Sequence, residues 1–187
     1  ARQAEFSKRT LYVYFNSKEQ LYFEIMIKGY RLLIALLEER LQGNGVQTPI
    51  EELEMIAMTY YQFSCEYPHH FHAIMDYENS IYDFQKGIPD PTRDECYALG
   101  ERALQFVKSA LEKGEAQGVI RADLSVDQAT MTLWACMLGI FSTARKKKNY
   151  LKNYHQIDAE EFIRESFRLL IRSMASDDSN RHKELKQ

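Results

Sequence analysis

Ala1-Arg2-Gln3-Ala4-Glu5-Phe6-Ser7-Lys8-Arg9-Thr10-Leu11-Tyr12-Val13-Tyr14-Phe15-Asn16-Ser17-Lys18-Glu19-Gln20-Leu21 opens the chain, and its reading decides how the rest is organised. Ala1 to Ala4 reads as the end of one helix, Glu5-Phe6 as a tight turn, and Ser7 as the cap of a short helix. Leu11 and Phe15 stand four apart and share a buried face. Lys8, Arg9, Thr10, Tyr12 and Tyr14 are left around the other sides. Tyr12 and Tyr14 are two apart, so they cannot both point inward along with Leu11 and Phe15. A short helix that exposes cations, a hydroxyl and two phenols suits phosphate oxygens and base edges. A turn at Asn16 leads into a longer helix. Ser17-Lys18-Glu19-Gln20 is a capping box for it, and the free N–H groups at that start make a second phosphate site beside Lys18.

Beyond this segment the pattern is helical, with breaks marked by capping signals. Leu21, Ile25, Leu32 and Leu36 keep helical phase towards Leu41, and Gly43-Asn44-Gly45 ends that helix. Thr48-Pro49-Ile50-Glu51 restarts the chain with proline at the first helical position. Leu53, Ile56, Ala57, Tyr60 and Ser64 form the inward stripe. Pro68 breaks this helix and opens the next, through Phe71, Ile74 and Met75. Residues 79–91 read as a loop. Thr92-Arg93-Asp94-Glu95 reads as a capping box ahead of Cys96, Leu99, Ala103, Phe106 and Ala110, and Gly118 closes that helix. Ser125 caps a helix over 125–148 and Asp158 another over 159–175, antiparallel neighbours joined by a short connection. No period-two strand pattern persists. The expected class is all-α, with about seven helices.

Composition agrees with this. The 187 residues include only 8 Gly and 4 Pro, where average usage would give roughly 22 together. Sandwiches and barrels need more of both, so an all-β fold is disfavoured. Cys65, Cys96 and Cys136 are far apart and odd in number. They cannot close a disulfide framework, and a reducing, cytoplasmic location is expected. On helical patterns they read as buried structural residues. No apolar run is long enough to cross a bilayer. The net charge of −3 does not announce nucleic-acid binding, but its distribution is uneven. Residues 1–18 hold Arg2, Lys8, Arg9 and Lys18 against Glu5, so they carry +3 and the remainder −6. That fits a small anion-binding head on an acidic body.

The opening stretch resembles the TetR family of bacterial transcriptional regulators, whose helix-turn-helix ends in a stretch like S-K-x-T-L-Y-x-Y-F-x-S-K-E-x-L. The likeness covers about the first 21 residues. Tyr67-Pro68 and Gly118-Val119-Ile120-Arg121-Ala122-Asp123-Leu124 are similar to the family more loosely. The resemblance implies that Ser7 through Tyr14 is the recognition helix in the major groove. Thr10, Tyr12, Tyr14 and Lys18 would contact the phosphate backbone, and Lys8 and Arg9 bases or phosphates. Leu11 and Phe15 would be structural. Val13 departs from the family's frequent polar or aromatic choice and is assigned no polar contact. Family members carry a first helix and a complete second helix before this point, so a truncated head is expected.

On this reading residues 1–42 are the remainder of the DNA-binding head plus a linker helix, and 43–187 a ligand-binding and dimerisation domain. The expected protein is a homodimeric repressor, released from double-stranded operator DNA by a small-molecule effector, and not an enzyme. The helix over 125–148 is apolar on more than one stripe and needs cover on most sides. A second copy would supply it, through Leu133, Met137, Ile140, Phe162, Ser166 and Leu170. The resemblance places an effector in the aromatic-rich middle of the chain, and Tyr60, Phe63, Phe71, Met75, Tyr97, Phe106, Trp134 and Met137 are the candidate lining residues.

Other motifs lead elsewhere. Glu66-Tyr67-Pro68-His69 has the E-x-x-H spacing of di-iron bundles, but it occurs once and contains a proline. His69, His70 and His72 read as an exposed helix start, so no metal or cofactor is expected. Arg145-Lys146-Lys147-Lys148 reads as a solvated basic run at a helix end. No nucleophile–base pair or phosphate loop motif is present. The rival readings are an all-α ligand carrier or enzyme with a TetR-like opening, and a helical dimer that works through protein partners.

Overall fold

Residues 18–43, 45, 48–78 and 90–176 are described by the computed structural model, without the side chains of Lys18, Glu19 and Glu78. They form α1 (Lys18–Gly43), α2 (Pro49–Glu66), α3 (Pro68–Glu78), α4 (Pro91–Ala116), α5 (Val126–Lys146), α6 (Lys148–His155) and α7 (Ala159–Met174). The class is all-α, as expected. Among the described residues, extended pairing is limited to one antiparallel bridge between Ile120 and Ala175. No described helix is long and apolar enough to cross a membrane.

Local chemistry sets most helix starts. Thr48 Oγ1 accepts from the Glu51 amide at 3.2 Å, and Glu51 Oε2 accepts from the Thr48 amide at 3.1 Å. This is the reciprocal box expected ahead of Pro49. Tyr67 ends α2, and Pro68 opens α3 immediately. Ser125 caps α5, accepting from the Gln128 amide. Asp158 caps α7, accepting from the Glu160 amide at 2.8 Å. That backbone hydrogen bond is the main reason its carboxyl lies below the usual range.

The start of α4 differs from the expected box at Thr92. The cap is Asp90, whose Oδ1 accepts from the amides of both Thr92 and Arg93 at 3.1 Å. Pro91, which has no N–H to lose, fills the first helical position. The connection between α5 and α7 also differs, because α6 is a helix in its own right. Its only buried residue is Leu151, and Lys147 provides no side-chain cap, so neither signal that marks the other helices is present.

The buried face of α1 is Phe23, Met26, Ile27, Tyr30, Leu33, Ile34 and Leu37. The expected stripe of Leu21, Ile25, Leu32 and Leu36 lies along one edge of that face, half-buried. The reason is tertiary. Helices α2, α3 and α4 all pack on α1, so the covered arc is wider than one stripe, and its centre is turned away from the expected one. The antiparallel pair α5 and α7 then closes over α2 and α4. Aromatic rings run through the joint. Phe63 meets Phe71 at 6.2 Å, Phe71 meets Phe141 edge-on at 5.0 Å, and Phe141 meets Phe167 at 6.0 Å. Exposed pairs Arg102–Glu38, Lys113–Glu52 and Arg145–Asp76 clip neighbouring helices together, each worth about 0–1 kcal/mol at such exposure.

The far end of α4 shows two uses of glycine. Gly118, at φ +70°, takes the left-handed conformation that ends the helix. Gly114 lies under the returning chain, where a Cβ would sit 2.4 Å from Ile120 Cγ1. The Val119 and Ile120 amides both donate to the Gly114 carbonyl, so Ile120 cannot retreat freely. Gly114→Ala is therefore expected to destabilise the body by about 1–3 kcal/mol through overpacking. Urea unfolding checks this, and a variant as stable as the parent would refute the close approach.

Candidate ligand cleft

Where α2, α4, α5 and α7 diverge, they leave a narrow interior cleft of about 40 Å³. Leu53, Ile56, Ala57 and Tyr60 line it from α2, and Leu104 and Val107 from α4. Leu133, Trp134 and Met137 close it from α5, and Phe167 and Ile171 from α7. None of these side chains is charged. Helical periodicity explains the grouping: 53, 56, 57 and 60 share one face of α2, and 133, 134 and 137 one face of α5. A dry aliphatic slot with an indole and a phenol at its walls offers water few partners, and it accepts an apolar guest more readily.

The structure brings together Tyr60, Trp134 and Met137 among the residues proposed for the pocket from sequence. The other five lie elsewhere. Phe63, Phe71 and Met75 are buried in the aromatic joint between α2, α3 and α5. Tyr97 is half-buried on α4. Phe106 borders a separate, open depression with Glu38, Glu52, Arg102 and Lys113. Sequence reasoning missed the aliphatic wall of the cleft, and no signal in the sequence could have found it. Leu53 or Ile171 on a helical stripe looks the same whether it meets a neighbour or a gap.

On α5 and α7 the candidate contact residues divide. Leu133 and Ile140 are buried in their own subunit, and Met137 borders the cleft. Phe162, Ser166 and Leu170 are half-buried. The outer face carries Met131, 46% exposed, and Leu169, 71% exposed. Ala135 and Gly139 are exposed beside Met131, and an added Cβ at Gly139 would meet nothing within 4 Å.

Other sequence candidates are placed as follows. Cys96 is buried and Cys136 half-buried, but Cys65 is exposed, contrary to the expected burial. It lies on the outer side of the last turn of α2. His69 and His72 are exposed, whereas His70 is half-buried and donates from Nδ1 to the Ile25 carbonyl of α1 at 2.9 Å. Tyr61 donates to Glu160 Oε2 at 3.1 Å, joining α2 to α7. Its phenol is raised above the usual range, first by burial and then by its hydrogen bonds to Cys65 and Glu160. Ser7, Lys8, Arg9, Thr10, Tyr12 and Tyr14 lie outside the described residues. Lys18 is the first residue of α1.

The family model of bacterial regulatory proteins of the tetR family matches residues 1–25. No curated protein matches. Among solved structures, the TetR-family transcriptional regulator PfmR from Thermus thermophilus is similar, with a TM-score of 0.62 at 23% identity, covering 92% of this chain and 85% of that one. A TetR-family regulator from Chloroflexus aurantiacus superposes with a TM-score of 0.63 at 19% identity, over 94% of this chain and 81% of that one. A protein of unknown function from a Rhodococcus species has a TM-score of 0.67 at 16% identity, over 94% and 82%. These likenesses show a shared fold, and residues 1–25 carry the sequence pattern of the bacterial regulatory proteins of the tetR family.

Proposed function

We propose that the chain is a homodimeric DNA-binding repressor released from its operator by a small apolar molecule held in the cleft. The observation that carries this reading is continuity. The segment that begins at Ser7, with its cations and phenols, continues in sequence into α1, and α1 is buried against α2 and α4, which line the cleft. Thr10, Tyr12, Tyr14 and Lys18 hold phosphates, and Lys8 and Arg9 reach bases or phosphates from a recognition helix starting at Ser7. Leucines and rings around the cleft select a slender, uncharged effector. Its entry wedges α2 and α4 apart, and α1, packed on both, tilts the head.

Pairing of two copies through the outer faces of α5 and α7 sets the heads about 34–36 Å apart, one turn of duplex. Phe162, Ser166, Leu169 and Ser173 repeat at helical spacing along α7, and Met131, Ala135 and Gly139 do so along α5. The effector acts only through its different affinity for the spaced and unspaced shapes.

The test is binding of the full-length protein to its own upstream DNA over a range of salt. Tyr12→Ala and Lys18→Ala should each weaken binding to all sequences alike. Lys18→Ala should also reduce the slope of log affinity against log salt by about 1. Retained affinity and slope in both variants would overturn the phosphate assignments.

A further inference from the structure

The geometry points to a second DNA-facing surface, on the body itself, formed by Lys146, Lys147, Lys148 and Lys152 around α6. It rests on the DNA-binding reading above but uses none of the head residues.

The proposed head precedes Lys18 in the sequence and so joins the body at the end where α1 begins. There Phe23 meets Tyr77 edge-on at 5.2 Å. Asp76, next to Tyr77 near the end of α3, accepts from Arg145 Nη2 at 2.7 Å. Tyr22 is close enough to feel both charges: its phenol is raised first by burial, then by Asp76, against Arg145. The last turn of α5 and the start of α6 therefore sit at the head end of the molecule.

Residues 145–155 contain five cations and no carboxylate, in a chain whose net charge is −3. Arg145 is engaged with Asp76. The four lysines are exposed. Among the described residues, none of Lys146, Lys147 and Lys152 forms an ion pair, while Lys148 lies near Asp158, the α7 cap. Packing does not account for α6 either. It buries Leu151 alone, while Tyr150 and Tyr154 stand 51% and 79% exposed with their rings 5.4 Å apart. Phenols and ammonium groups at one surface are donors suited to phosphate oxygens.

A duplex held by the heads runs past this end of the body, with one negative charge about every 1.7 Å. Because α6 lies between α5 and α7, pairing through those helices brings both copies of the patch towards the two-fold axis, opposite the centre of the operator. The contacts are electrostatic and carry no sequence information.

The experiment compares full-length protein with its Lys146→Ala/Lys147→Ala/Lys152→Ala variant, on operator and random duplexes, from low to physiological salt. The expected result is a slope of log affinity against log salt shallower by about 2–3 per protomer, with equal proportional loss on both duplexes. An unchanged slope overturns the proposal while leaving the head's role intact. So does a loss that size-exclusion chromatography traces to dimer dissociation, or a lysine-dependent binding to anionic vesicles with DNA affinity unaltered. If the parent protein binds no duplex, the DNA-binding reading itself fails, and this surface with it.

Discussion

Replacing Leu169 by arginine should turn the proposed dimer into monomers that remain folded. Leu169 is 71% exposed in the single subunit, so its own helix and core lose little when it changes. In a two-fold interface the same residue enters twice, and the substitution therefore places two like charges in one patch. Removing them from water would cost about 3 kcal/mol or more, roughly a hundredfold in the dimer dissociation constant. A monomer also loses the second half-site as an intramolecular event, a further factor of about 10²–10⁴ in operator affinity. Sedimentation should show the change in mass, with helical content by circular dichroism unchanged. A variant that still sediments as the parent does would remove the α5–α7 face as the interface.

Phe63→Ala should do the reverse, weakening the subunit without addressing its pairing. Phe63 is 0% exposed on α2, with Tyr67 at 5.7 Å and Phe71 at 6.2 Å between ring centres. Truncation removes buried apolar surface and leaves a cavity that rigid helices on several sides cannot fill. The expected loss is about 3–5 kcal/mol, a large share of the roughly 5–15 kcal/mol that holds a domain together. In a chain of this size that corresponds to a melting temperature lower by about 10 °C. A loss below about 1 kcal/mol would mean that the ring is not the hub the packing implies.

Most helix boundaries that a local chemical device marks are legible in the sequence. Thr48 with Glu51, Pro68, Gly118, Ser125 and Asp158 each act within a few residues of themselves, and each is found at the boundary it announced. The start of α4 was misread by two residues because Thr92-Arg93-Asp94-Glu95 has the spelling of a cap, while Asp90-Pro91 supplies a better one. The helix α6 was not legible at all, having one buried residue and no cap. The candidate cleft was partly legible. Tyr60, Trp134 and Met137 stand out as large side chains, but the aliphatic residues that complete the wall do not.

From its sequence alone this chain is determined to be helical, and its first 21 residues carry the resemblance that the family match over residues 1–25 supports. Both are local properties, written in caps, period and a short motif. Tertiary packing decided which arc of α1 is buried, that Leu133 and Ile140 serve their own core, and that Leu169 is left to solvent. It also decided that four helices part to leave a cleft and that the lysines around α6 gather at the end where α1 begins. Such outcomes depend on how helices distant in the chain cross, and no window of sequence contains that angle.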